Sequence, residues 1–138
     1  ATPIHRQSFK PIPHYLPTLQ YYKDKGLVNI LINQLVACYL IKNGHEIFEM
    51  NYNVDKIGMV DIISKNNDIV VFTEVKAQIK SKDLNRLESQ IDEYNSEQIM
   101  NLANLYMKQK QMNTEIGVNV AEVILGEGKT KIDIIKMQ

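Results

Sequence analysis

No excess of charge of either sign is present in this chain of 138 residues, because sixteen Lys and Arg balance sixteen Asp and Glu. A protein that grips long stretches of nucleic acid without sequence preference usually has a strongly basic surface. The zero net charge therefore counts against a high-affinity, non-specific DNA-binding protein. It does not exclude a nuclease, because a metal-binding catalytic site must itself be acidic.

Cysteine is nearly absent, since Cys38 is the single one, and it cannot form an intrachain disulfide. Its apolar helical surroundings predict a small core residue, and a lone thiol favours a reducing, cytoplasmic setting. The longest apolar stretch, 27–41, is interrupted by Asn29, Asn33 and Gln34, and it falls short of a membrane span. No secretory signal pattern opens the chain. We expect a cytoplasmic protein without membrane contact, with one core at this length.

Proline is absent from the larger part of the chain, since all four prolines are Pro3, Pro11, Pro13 and Pro17. The first seventeen residues, which contain these prolines, are expected to be extended. Proline has no backbone N–H, so this segment cannot donate to the hydrogen-bond ladder of a central strand. The sequence therefore predicts an N-terminal arm over residues 1–26 and a folded domain over residues 27–138. The arm is either an extension that packs on the domain or a segment for dimerisation or nucleic-acid contact.

Hydrophobic periodicity predicts an α/β domain with a central mixed sheet flanked by helices. A first helix is expected to end at Gly44, which suits a left-handed C-terminal cap, and a second is expected to begin at Ser96 as its N-cap. The predicted order is helix, three strands, helix, two strands. The boundaries are 27–43, 46–52, 57–64, 69–78, a helix from residue 96, 118–125 and 130–136.

Two charged residues interrupt the very apolar strand that begins at Ile69. Glu74 and Lys76 are two residues apart and so share one face of that strand. Burying them costs several kcal/mol, as an order of magnitude, unless they pair or bind an ion. If residues 65–68 form a four-residue loop, Asp61 lies opposite Phe72, on the same face as this pair. Two carboxylates beside an ammonium are typical of a metal-dependent phosphodiesterase; the alternative is a purely structural ion pair.

The order of elements and the residues on it resemble the PD-(D/E)XK nuclease superfamily, and within it the small YraN-type family described as Holliday-junction-resolvase-like. The resemblance covers about residues 27–136. Its anchors are Tyr39-Leu40 and Gly44, Asn51-Tyr52, Gly58-Met59-Val60-Asp61-Ile62-Ile63, and Val71-Phe72-Thr73-Glu74-Val75-Lys76.

The resemblance implies a restriction-endonuclease-like fold and a metal-dependent endonuclease that hydrolyses DNA, with branched DNA among the candidate substrates. It implies that Asp61 and Glu74 hold Mg²⁺ or Mn²⁺, and that the carbonyl of Val75 adds a ligand. Lys76 would orient the attacking water or offset charge on the phosphate. A homodimer is expected if the substrate is branched.

Two positions depart from the family pattern, which usually has glutamate where this chain has Asn33 and Met59. Fewer carboxylates attract a divalent cation less strongly, and an amide oxygen is only a weak neutral ligand. The alternative is therefore a weakened or inactive nuclease-fold module for DNA binding or protein interaction. Nucleic acid, if bound, is expected to contact Lys80, Lys82 and Arg86, which can equally be read as a solvated basic stretch.

Overall fold

The computed structural model describes residues 3–8, 12–13, 27–79, 93–126 and 129–137. Two helices lie along the sheet, and the five strands from β3 to β7 form its mixed core. The elements are β1 (Pro3–Ser8), β2 (Ile12–Pro13), α1 (Val28–Lys42), β3 (Glu46–Val54), β4 (Gly58–Asn66), β5 (Ile69–Ile79), α2 (Glu93–Gln109), β6 (Glu115–Gly126) and β7 (Lys129–Met137). The predicted order of helix, three strands, helix and two strands is confirmed.

The sheet has the order β1-β7-β6-β5-β4-β3, and β2 also pairs with β7. Among the described strands, only β5 and β6 are parallel, as expected for strands joined through a helix, and the other pairs are antiparallel. The predicted α/β fold with a mixed sheet and a restriction-endonuclease-like core is confirmed. Within the described residues, no helix is long and apolar enough to cross a membrane.

The N-terminal segment adds strands that the sequence had not predicted. Pro3–Ser8 pairs with β7 along the edge of the sheet, and Ile12–Pro13 pairs with the beginning of the same strand. An edge position accommodates proline, because one side of an edge strand needs no donor to a ladder. These parts of the arm extend the sheet of the domain.

Each helix packs on its own apolar cluster. Val36 and Leu40 of α1 are buried with Ile62 of β4, and Tyr106 of α2 is buried with Phe72 of β5. The rings of Tyr106 and Phe72 meet edge to face at 5.7 Å between centroids, a favourable aromatic geometry. The sheet is thus covered on both faces, which explains why β5 is apolar along most of its length.

Two details of the sequence prediction are wrong in the helices. Cys38 is exposed, because it lies on α1 away from the buried side formed by Val36 and Leu40. Helix α2 begins at Glu93, so Ser96 lies inside its first turn and is not the N-cap. The predicted end of α1 is confirmed, since Gly44 has a φ of 90° just beyond the helix.

Candidate active site

The register between β4 and β5 differs from the predicted one by two residues. The strands are joined by a two-residue turn, because Asn66 pairs with Ile69, and Phe72 lies opposite Ile63 and not opposite Asp61. Asn67 has a φ of 54°, a left-handed conformation that asparagine tolerates well and that permits so tight a turn. The difference of two residues equals one period of a strand. If the observed register were continued beyond Ile62 and Thr73, the next pair would be Asp61 and Glu74.

Strands β3 and β4 are irregular where Asp61 lies. Residues two apart on a regular strand face the same side, yet Val60 and Ile62 belong to different apolar clusters. On β3 the change occurs at Asn51, whose φ is 53°. The paired positions between β4 and β5 also stop at Ile62 and Thr73. The sheet therefore opens at Asp61, and its side chain can enter the space between the strands.

Asp61 uses this space to bind the backbone of β5. The amide N–H of Val75 donates to Oδ2 of Asp61 over 2.7 Å. A carboxylate that accepts a backbone N–H makes a short, strong hydrogen bond. This contact fixes Asp61 against the segment that contains Glu74 and Lys76, so the structure brings the three predicted catalytic residues together.

Glu74 and Lys76 form an ion pair, with 3.3 Å between Nζ of Lys76 and Oε1 of Glu74. Their side chains are 20% and 35% exposed, respectively. A pair with this much solvent access contributes little to stability, typically about 0–1 kcal/mol. The pair is therefore accessible to a ligand, and its loss would not unfold the protein.

Burial raises the pKa of the Asp61 carboxyl above its ordinary value. Three contacts oppose this effect: the hydrogen bond from Val75 N–H, the positive charge of Lys76, and a hydrogen bond from the side chain of Asn33. The folded protein thus holds a partly desolvated carboxylate, which any added positive charge would stabilise.

Asn33 also donates from Nδ2 to Oδ1 of Asn51 over 3.0 Å. An amide nitrogen has two hydrogens, so one side chain links α1, β3 and β4 at the site. Sequence reasoning assigned no role to Asn51. The available signal was its residue type, because asparagine is among the few residues other than glycine that readily adopt a left-handed conformation.

The described residues contain no cluster of three or more His, Cys, Asp or Glu side chains suited to a metal ion. Within the described part of the chain, Asp61 and Glu74 are therefore not part of a three-residue cluster of this kind. Met59 is 56% exposed. The roles assigned to Asp61, Glu74, Val75 and Lys76 stay predictions.

The basic residues predicted to contact nucleic acid, Lys80, Lys82 and Arg86, lie outside the described residues. Lys108, in the last turn of α2, and Lys110, just beyond the helix, are exposed. Nζ of Lys110 lies 5.8 Å from the centre of the Tyr106 ring, within reach of a cation–π interaction.

Comparison with known proteins places the fold and site in a family context. A UPF0102 protein of Clostridioides difficile is 38% identical over 106 residues, covering 76% of this chain and 89% of the relative. UPF0102 proteins of Campylobacter hominis and Syntrophomonas wolfei are 32% and 30% identical over 98 and 103 residues. These matches cover 71% and 74% of this chain, and 80% and 88% of the relatives. The model of the uncharacterised protein family UPF0102 matches residues 32–137, and the chain therefore belongs to this family, which is the YraN-type family that the sequence resembles.

Proposed function

We propose that this protein is a metal-dependent endonuclease that hydrolyses phosphodiester bonds of DNA, with Asp61, Glu74 and Lys76 as its catalytic residues. One observation carries the proposal. The hydrogen bond from Val75 to Asp61 and the ion pair of Glu74 with Lys76 unite two carboxylates and an ammonium where β4 and β5 separate. Family membership and the restriction-endonuclease-like fold support it.

The donor set suits a hard divalent cation such as Mg²⁺ or Mn²⁺. Asp61 and Glu74 would hold it through carboxylate oxygens. The carbonyl of Val75 fits as a third donor, because the N–H and C=O of one strand residue point to the same side, and the N–H already points at Asp61. When bound, the cation would neutralise charge on the phosphate and lower the pKa of a bound water.

Asp61 and Lys76 would have different roles in the reaction. Asp61 is held in position by Val75 and by Asn33, so it need not reorganise when a cation arrives. Lys76 reaches Glu74 and is partly exposed, so its ammonium can face a phosphate oxygen or orient the attacking water. Groups that are already in position lower the barrier of a reaction more than groups that must first move. Asp61 would hold the cation, and Lys76 would contact the phosphate or the attacking water.

A second candidate function is a nuclease-fold module that binds DNA or protein without catalysis. The contacts of Asn33 favour it: this amide donates to both Asp61 and Asn51 where relatives usually have glutamate. An amide at this position brings no negative charge to the site, so it attracts a divalent cation less strongly than a carboxylate would.

Cleavage assays with Mg²⁺ or Mn²⁺ on linear, single-stranded and four-way DNA separate the two candidates. An endonuclease cuts at least one substrate, and Asp61→Asn and Lys76→Gln reduce the rate by about two orders of magnitude or more. Matched controls are Asp68→Asn in the exposed β4–β5 turn and Lys131→Gln on β7, which leave the rate unchanged. DNA binding without any metal-dependent cleavage would instead support the inactive module.

A further inference from the structure

A second candidate binding site lies beyond the C-terminal end of α1. A cavity of about 470 Å³ opens between α1, the β4–β5 turn, the beginnings of β5 and β6, and the end of β7. Asp61, Glu74 and Lys76 do not line it. Val71 of the cavity and Glu74 of the active site are three residues apart on β5, which is about 10 Å along a strand. The volume falls within the range of about 300–1,000 Å³ that small-molecule sites occupy.

The floor of the cavity is apolar and includes Gly117, which has no side chain. Val71 of β5 pairs with Gly117 of β6, and Ile69 and Ile134 lie beside them. A Cβ at Gly117 would stand 3.3 Å from Cγ2 of Ile69 and 3.6 Å from Cγ2 of Val71. A larger side chain at this position would therefore crowd Ile69 and Val71 on the floor of the cavity. A flat apolar floor of this kind suits the face of a planar ring.

A buried amide lines the same space. Asn119 is only 5% exposed and is one of the residues that line the cavity. The amide presents a donor beside an acceptor, so it is matched to a ligand with the same pair of groups on one edge.

The polar wall also contains a histidine without charge. Nδ1 of His45 lies 2.9 Å from Oγ of Ser64, and Nε2 of His45 lies 3.3 Å from Nδ2 of Asn66. Since the amide nitrogen donates, Nε2 accepts, and Nδ1–H donates to Ser64. Burial lowers the pKa of His45, and the charge of Lys136 lowers it further. The imidazole is therefore neutral at pH 7.

The charges at the cavity do not select an anion. Among the described residues of the lining, Lys136 is the cation, and Glu115 contributes a carboxylate. A phosphate held by Lys136 alone would face this carboxylate and a neutral histidine. The apolar floor and the amide-rich wall instead match an uncharged, planar ring with donors and acceptors on its edge, as in a nucleobase. Asparagine pairs well with adenine, which offers an acceptor and a donor side by side.

We propose that this cavity binds a nucleobase, with the ring on the floor at Gly117 and its edge hydrogen-bonded to Asn119. The base can come from a free nucleoside or from an unpaired nucleotide of a nucleic-acid strand. The site does not depend on metal or catalysis, so it goes beyond the proposed endonuclease function.

The test is a titration of the full chain with adenosine, guanosine, cytidine and uridine in EDTA, followed by two-dimensional amide NMR. At least one nucleoside is expected to shift the resonances of Gly117 and Asn119 in a saturable manner. Asn119→Leu, which keeps the volume and removes both polar atoms, weakens that binding about tenfold or more. Gly117→Val, which fills the floor, abolishes it.

Controls separate the proposal of a nucleobase site from the proposal of an endonuclease. Asp61→Asn binds nucleosides like the wild type, even if it no longer cleaves DNA. A short single-stranded oligonucleotide that displaces the nucleoside identifies the strand as the source, and failure to displace it identifies the free nucleoside. Saturable shifts by ribose 5-phosphate or inorganic phosphate alone, unchanged binding in a folded Asn119→Leu, or no shift with any nucleoside at millimolar concentration would overturn the proposal.

Discussion

Replacing Asp61 by alanine and by asparagine separates its structural contact from its charge. Alanine removes the acceptor of the Val75 N–H, a hydrogen bond of 2.7 Å, whereas asparagine keeps a side-chain oxygen there. Leaving a buried donor without a partner costs about 1–3 kcal/mol. Val75 is half-buried, so we expect the lower end, about 1 kcal/mol. For a domain of this size that difference lowers the melting temperature of the alanine variant by about 4 °C relative to asparagine.

The charge of Asp61 acts in the opposite direction. Burial raises the pKa of this carboxyl in the folded state, so ionisation costs the folded state free energy. The stability that the protonated group confers is present at low pH and is lost as pH rises through the folded pKa. Without metal, we therefore expect Asp61→Asn to be more stable than the wild type at pH 7. This advantage should disappear below about pH 4, where free Asp is protonated.

A divalent cation should reverse that ranking. Metal that binds only the folded protein stabilises it by RT ln(1 + [M]/Kd), which is about 2.7 kcal/mol at one hundred times Kd. We expect millimolar Mn²⁺ to stabilise the wild type but neither Asp61 variant. Urea unfolding followed by circular dichroism, in EDTA and in Mn²⁺, measures all three free energies of unfolding. The exposed Asp68→Asn serves as the control and should follow the wild type.

Two results would refute this reasoning. Equal stabilities of the alanine and asparagine variants in EDTA would show that the hydrogen bond to Val75 contributes no free energy. Equal stabilisation by Mn²⁺ in the wild type and in Asp61→Ala would show that the metal binds elsewhere in the molecule.

Restoring the missing carboxylates with Asn33→Glu and Met59→Glu should strengthen Mg²⁺ binding and accelerate DNA cleavage, because added negative charge attracts the cation. Calorimetry and cleavage assays measure both effects; Lys76→Ala in that background should abolish the gain in rate, and a double variant that binds metal without ever cutting DNA would support the inactive module. Replacing Lys80 and Lys82 with alanine should weaken DNA binding and reduce the slope of log K against log salt by about one unit for each phosphate that is no longer neutralised. Unchanged binding across a salt series would identify a solvated basic stretch.

Several parts of the fold could be predicted from the sequence because each depends on residues that are close together along the chain. Gly44 marked the end of α1 through its left-handed conformation, and the apolar run from Ile69 marked a strand covered on both faces. The start of α2 was misplaced, since Ser96 looks like a cap only if the preceding residues are not helical. The N-terminal strands were missed because pairing at the edge of a sheet leaves no local pattern in a proline-rich segment.

The site shows the same division between local pattern and tertiary contact. Glu74 and Lys76 were predictable as neighbours because a strand has a period of two. The register that puts Asp61 in phase with them depends on a two-residue turn at Asn67, which the polar run 65–68 did not specify. An error of two residues keeps each paired residue of β4 on its predicted face, but the pairing stops at Ile62, so the period of the strand does not by itself place Asp61.

The sequence by itself determined which chemical groups this protein offers: two carboxylates at Asp61 and Glu74, an ammonium at Lys76, and an amide at Asn33. Residue type and strand period are properties of the chain, so they needed no coordinates. Only the tertiary structure decided that Asp61 binds the backbone of Val75 and that Asn33 spans Asp61 and Asn51. These contacts join residues that are distant along the chain, so no local pattern of residues could predict them.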